Sequence, residues 1–180
     1  MAPSTSAPTF PPIVPPDEAA RSRAAQLRST APTGAGIPTG SLGKLEDIAA
    51  WVAACQNTAP AAPLDAARMV LVTGDHGVAE AHPEISTLPA DFNSQVRYGI
   101  LDGQAPLVDA CRSAQVALSL IDAAPDKPSG SIDTVDALSP EEYDIHLARG
   151  VRIADEEADQ GTSILLLGDF GRGLTTVAAA

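Results

Sequence analysis

Three short apolar runs do most to limit what this chain can fold into: Met69–Thr73 (MVLVT), Val116–Ile121 (VALSLI) and Ile164–Leu167 (ILLL). Each is continuous rather than alternating, the pattern of strands covered on both faces. Helical patterns separate them. Pro89–Leu101 is one, with Pro89 placed for a first turn. Ala105–Ala114 is another. A third opens at Ser139-Pro140-Glu141-Glu142, where Ser139 and Glu142 stand at capping-box spacing, and runs to about Asp159 through Gly150. Strands alternating with helices predict an α/β fold, a parallel sheet with flanking helices.

Ahead of the sheet, residues 1–16 are rich in Pro, Ala, Ser and Thr and read as a flexible tail, with Ile13-Val14-Pro15 as a segment able to dock on the body. Asp17 and Glu18 open a helix that fades at Ser29-Thr30-Ala31-Pro32. A Gly/Pro/Thr loop, TAPTGAGIPTGS, runs to Ser41. Leu42, Leu45, Ile48, Ala49 and Val52 then recur at helical spacing. This divides the chain into a tail (1–16), a helical segment (17–60) and a partial α/β domain (61–180).

Composition removes several function classes. The net charge of −12 has the wrong sign for a nucleic-acid groove or an anionic membrane surface, and aromatics at 3% leave little for base stacking. No apolar run approaches the ~20 residues that span a bilayer. The N-terminal MAPSTSAPTFPP lacks a basic segment followed by an apolar one, so a cytoplasmic setting is expected. Cys55 and Cys111 match no metal spacing and read as small buried hydrophobes. A small anion is still a possible ligand, because backbone N–H groups bind one locally.

In parallel sheets, ligands bind beyond the carboxyl ends of the strands. Two loops leave those ends with unusual residues: Gly74–Leu88 (GDHGVAEAHPEISTL) and Gly168–Leu174 (GDFGRGL). The loop Asp122–Leu138 is polar and reads as surface. GDFGRGLT falls one residue short of a phosphate-binding P-loop, with Leu174 where the lysine would stand, and this excludes a nucleotide-triphosphatase reading. Asp169-Phe170-Gly171 spells a kinase triplet without the rest of the kinase set. What the loop does offer is close backbone approach at Gly171 and Gly173, and Thr175 and Thr176 at the start of a helix. From the spacing alone, an ordinary tight strand-to-helix turn is the better reading.

Asp75 and His76 could be an acid/base pair or metal ligands, but the spacing from His76 to His82 is no zinc signature. A role in hydrogen bonding their own and neighbouring loops is favoured, and no metal is expected. His146, alone on its helix, is expected to face solvent, as is the side chain of Arg172. Ser86 reads as a cap or loop ligand, and Gln95 alone would be taken for surface.

Four stretches carry a family likeness: PTGSLGKLEDIA (Pro38–Ala49), LVTGDHGVAE (Leu71–Glu80), ISTLPADFNSQV (Ile85–Val96) and GDFGRGLTT (Gly168–Thr176). In order and separation they resemble the N-terminal half of the nicotinate-nucleotide:dimethylbenzimidazole phosphoribosyltransferases, whose versions read roughly PPGSLGRLE, GDHGV, VSAYP..VT.QM and GEMGIGNTT. The likeness covers about Ile13 to Ala180. It implies a Rossmann-like parallel α/β fold, here incomplete, and a homodimer in the complete enzyme. It also implies transfer of ribose phosphate from nicotinate mononucleotide to 5,6-dimethylbenzimidazole, without a cofactor.

Residue by residue, the resemblance implies that Ser86 and Gln95 line the benzimidazole site, one pocket beyond strand one, with Leu88 standing for a family tyrosine. Asp169 replaces a glutamate that contacts the nucleotide ribose. Gly171, Gly173, Thr175 and Thr176 match the nucleotide-phosphate loop, in which Leu174 replaces Asn and Arg172 an apolar residue. The catalytic base is expected beyond Ala180, so that the chain reads as a first half of the enzyme. ILLL is then expected to expose an apolar face. A non-catalytic nucleotide- or azole-binding module is the alternative.

Overall fold

Asp17 begins the first helix as its side chain predicts, its carboxylate accepting the amide of Ala19 at 2.8 Å. The computed structural model describes residues 10–30, 38, 40–123 and 127–180. Residues 1–63 and 64–180 form two units. In the first, α1 (Glu18–Ser29) packs on α2 (Lys44–Cys55). The buried residues are Ala20, Ala50, Ala53 and Ala54, so alanines make the seam and let the two backbones approach closely. The larger apolar residues of the periodic stripe, Leu45 and Ile48, are exposed, as is Trp51. Arg28 ties the helices together through Glu46 and the carbonyl of Pro38.

Two expectations for this unit are corrected. Ile13 and Val14 are exposed and do not dock, and Cys55 is exposed because it falls on the outer side of α2's last turn. The tail at 1–9 and most of the loop before Ser41 lie outside the described residues.

The second unit holds a three-stranded parallel sheet in the order β2-β1-β3, with β1 Ala67–Thr73, β2 Ala117–Asp122 and β3 Ile164–Phe170. On one side β1 pairs with β2 from Arg68↔Ala117 to Thr73↔Asp122, on the other with β3 from Ala67↔Ile164 to Thr73↔Phe170. All three apolar runs are therefore strands. Central β1 buries Val70, Leu71 and Thr73. Edge strand β3 does not follow the both-faces rule: Ile164 to Leu167 are exposed, Leu167 to 78%. The run also extends past Leu167 through Gly168, Asp169 and Phe170, which pair with β1 rather than belonging to the loop.

Between β1 and β2 stand α3 (Gly77–Ala81), a 3₁₀ turn (Pro83–Ile85), α4 (Phe92–Leu101) and α5 (Pro106–Ser113). The loop Gly74–Leu88 is thus largely helical, which a five-residue helix has too little periodicity to announce. Pro89 precedes α4 instead of opening it, its carbonyl accepting the amide of Phe92 at 3.1 Å. Arg97 on α4 pairs with Asp122 at the end of β2, whose carbonyl also accepts from Arg149 at 2.7 Å.

Helix α6 (Pro140–Asp159) begins at the predicted capping box: the Ser139 hydroxyl accepts the amide of Glu142 at 3.2 Å, and the Glu142 carboxylate accepts the amide of Ser139 at 2.8 Å. Lys127 also holds Glu142, and these bonds, the lysine's foremost, pull its carboxyl pKa down to about 2. Within Asp122–Leu138, the described part, 127–138, does more than cover surface. The amide of Ser129 donates to the carbonyl of Asp75 at 2.9 Å, and Gly77 packs so closely on Ser129 that a side chain there would overlap its carbonyl. No helix among the described residues is long and apolar enough to cross a membrane.

Candidate functional site

Register decides which loops meet. Because Thr73 pairs with Phe170, the chain leaves β1 and β3 side by side, and Gly74-Asp75-His76 emerges next to Gly171-Arg172-Gly173. The approach is tight. A Cβ on Gly171 would lie 2.8 Å from the carbonyl oxygen of Gly74 and 3.2 Å from Nε2 of His76. One on Gly173 would lie 2.8 Å from Cβ of Ala79, and Gly173 has a φ of 82°, in the left-handed region. Both glycines thus let one loop sit on the other.

Asn93, buried in the first turn of α4, links the pair. Its Nδ2 donates to the carbonyl of Gly74 at 3.2 Å and to the carboxylate of Asp75, and its Oδ1 accepts the backbone amide of Arg172 at 3.0 Å. Arg172 extends the connection with its side chain. Nε donates to the carbonyl of Leu88 at 3.1 Å, one terminal nitrogen to that of Ala79 at 2.6 Å and the other to that of Pro83 at 3.3 Å. The expectation of a solvent-facing Arg172 is therefore wrong. The last carbonyls of a helix have no acceptor role within it, and a guanidinium fork can serve several carbonyls of an irregular segment at once.

In the loop after β3 the amides alternate. Those of Arg172, Leu174 and Thr176 donate to Asn93, Gly171 and Gly173. Those of Gly171, Gly173 and Thr175 have no acceptor among the described residues. Free amides in a loop that opens a helix can bind an anion. Burial lowers the pKa of His76 below its usual value against the opposing pull of Asp75 and Asp169, so its imidazole is neutral at pH 7. A cleft of about 440 Å³ opens here, lined by Gly74, His76, Asp169, Phe170 and Leu174 among others. A second, of about 600 Å³, shares Gly74 and His76 and continues under α6 past Ile153. His146 lines it half-buried, not facing solvent as expected, because α6 turns that residue toward the sheet.

Asp75, His76, Asp169, Gly171 and Gly173 are thus brought together. Thr175 is exposed and Thr176 half-buried at the start of α7 (Leu174–Ala179). Ser86 accepts the amide of Leu88 at 3.3 Å. Gln95 lies elsewhere. It bonds Asp91 at 2.6 Å and lines a cleft of about 390 Å³ with Leu71, Phe92, Ile100 and Leu107, a set that includes neither Ser86 nor Leu88. Gln95 thus sits on the face of α4 toward Leu71, and the cleft it lines there is not shared with Ser86 or Leu88. Among the described residues no group of three or more His, Cys, Asp or Glu is placed to hold a metal ion. Asn93 and the side chain of Arg172 are the site residues that sequence reasoning missed. Their partners lie up to 93 residues away, so no local pattern marks them.

Comparison with known proteins gives this geometry its context. A family model described as phosphoribosyltransferase matches residues 13–180. A nicotinate-nucleotide–dimethylbenzimidazole phosphoribosyltransferase of Streptomyces avermitilis is 38% identical over 159 residues, covering 79% of this chain and 42% of the relative. One of Mycobacterium leprae is 37% identical over 186 aligned positions, covering 94% and 51%. The crystal structure of CobT from Thermus thermophilus superimposes with a TM-score of 0.77 at 27% identity, covering 89% of this chain and 51% of that one. The chain spans about half the length of these relatives. The family model's match over residues 13–180, with these relatives, shows that this chain belongs to the nicotinate-nucleotide–dimethylbenzimidazole phosphoribosyltransferase family.

Proposed function

We propose that this chain forms the nucleotide-binding part of an enzyme that moves ribose phosphate from nicotinate mononucleotide to 5,6-dimethylbenzimidazole. In that reaction the bond from the ribose carbon to the nicotinate nitrogen breaks and one to a benzimidazole nitrogen forms. Nicotinate leaves, and the azole's ring proton passes to a base. The observation that carries the reading is the set of amides at Gly171, Gly173 and Thr175, without acceptors among the described residues, in the loop that meets His76 and follows Asp169. Those amides suit one phosphate, and Asp169 suits a ribose hydroxyl. Ser86 and Leu88 are proposed to contact the azole, with Gln95 reaching it only if it leaves Asp91.

Asp75 and His76 are proposed to serve loop structure, and the base to lie outside these 180 residues. The chain alone then binds nucleotide without turnover, and the complete enzyme is proposed to be a homodimer. Adding nicotinate mononucleotide to isotope-labelled chain should shift the amide signals of Gly171, Gly173 and Thr175, and no α-ribazole phosphate should form when dimethylbenzimidazole is added. Shifts confined to other regions would rule out the phosphate site. Steady product formation, lost on changing Asp75 or His76, would rule out the assignment of those two residues to loop structure.

A further inference from the structure

We propose that Arg172 is a positioning residue that holds the segment Ala79–Leu88 on the loop after β3, and so sets where Ser86 and Leu88 present themselves to the azole. The azole role rests on the function proposed above; the hold itself does not.

The residues from Ala79 to Leu88 have little structure of their own. They comprise the end of a five-residue helix, one 3₁₀ turn and a Ser86-capped bend. A short helix leaves its last carbonyls without intrahelical donors. Arg172 reaches three carbonyls spread along this stretch, those of Ala79, Pro83 and Leu88. Among the described residues its side chain bonds carbonyls and no carboxylate, so the guanidinium acts as a planar fork for backbone oxygens. Lysine, with its donors on one atom, cannot span three such sites.

The anchor at the other end is equally defined. The backbone amide of Arg172 donates to Asn93, which also holds Gly74 and Asp75. Gly173, the next residue, packs on Ala79 with no room for a side chain. Residue 172 therefore fixes the loop with its backbone and the segment with its side chain. Its neighbours on both sides, Gly171 and Gly173, carry two of the free amides proposed to take phosphate. A guanidinium engaged by three carbonyls does not itself reach for that phosphate.

The test compares wild type with Arg172→Met and Arg172→Lys by hydrogen exchange, and by calorimetry with dimethylbenzimidazole and with nicotinate mononucleotide separately. Exchange at residues 80–88 should rise in both variants while β1 and β3 keep their protection. Affinity for dimethylbenzimidazole should fall about tenfold, the loss that goes with one hydrogen bond to a charged group, while nicotinate mononucleotide affinity changes less than about twofold. Unchanged exchange at 80–88, loss of protection throughout the unit, full rescue by lysine, or a parallel fall for both ligands would each overturn the proposal. A wild-type chain that binds neither ligand would overturn the azole role and the proposed function, and the exchange measurement would still decide whether Arg172 holds the segment.

Discussion

Oδ1 of Asn93 accepts the backbone amide of Arg172 at 3.0 Å across 79 residues of sequence, while the same side chain's nitrogen donates to Gly74 and Asp75. One buried amide thus joins the loops that leave β1 and β3. Asn93→Ala removes three hydrogen bonds at once and leaves a gap where the buried side chain stood. It is expected to cost about 1–3 kcal/mol. Asn93→Asp should cost more at pH 7, because it keeps the acceptor but sets a second carboxylate against Asp75. Urea unfolding of both variants tests this, and an aspartate variant as stable as wild type would refute the bridging geometry.

The two loop glycines should fail for different reasons when replaced. Gly173→Ala has to hold an L-residue in the left-handed region, at about 1–2 kcal/mol, and also meets Ala79. The backbone of Gly171 is unstrained, but an added methyl meets the carbonyl of Gly74 and the ring of His76. Overpacking of that kind costs about 1–3 kcal/mol. Adding Ala79→Gly should recover part of the loss at 173 and none at 171. Chemical denaturation of the single and double variants would show whether the recovery is selective.

The histidines of the first loop should respond to pH in opposite directions. His82 lies 2.9 Å from Asp133 and 3.5 Å from Glu84, and the hydrogen bond and charge of Asp133 raise its pKa. Its contribution to stability is present below the ordinary histidine value and is lost as pH rises through the raised one. His76 is lowered by burial. Its contribution is present above the ordinary value and is lost as pH falls through the lowered one. Proton NMR titration should place His82 above and His76 below an unstructured histidine peptide. Asp133→Asn should bring His82 down while leaving His76 unmoved.

The exposed edge of β3 should drive self-association of the isolated chain. Leu165 and Leu167 are both exposed, on a strand with one side unpaired among the described residues. Such edges template further pairing. Light scattering is expected to show a mass that rises with concentration, and Leu167→Lys should reduce that rise without lowering the unfolding midpoint. A monomer at every concentration would contradict the expectation.

Legibility in the sequence followed the range of the interactions. The strands were readable because each is a continuous run of apolar residues, whether the structure covers it, as in β1, or leaves it open, as in β3, and the capping box was readable because Ser139 and Glu142 are three apart. Short α3 and the delayed start of α4 were not, since five residues cannot establish a period and Pro89 fits a turn as well as a first helical position. The glycines were readable as sites of close approach, but not what approaches them. Asn93 and Arg172 were opaque for the same reason. A polar side chain's partner across the fold leaves no trace beside it, and an arginine in a loop reads as solvated until its carbonyls are located. Gln95 matched its family position, yet its side chain turns to Asp91 in this structure.

The strand order has a consequence for how the chain is made. Of the three strands described, β1 is synthesised first and lies in the middle, and its pairing with β3 begins where Ser163 meets Ala66, 97 residues further along. At the usual ~5–20 residues per second of translation, the β3-facing edge of β1 waits roughly 5–20 s for its partner to be synthesised. During that wait β2 can close only the other edge. The nascent chain is therefore most exposed to mispairing after β2 and before β3, and a chaperone or a translational pause would have its largest effect between residues 123 and 164.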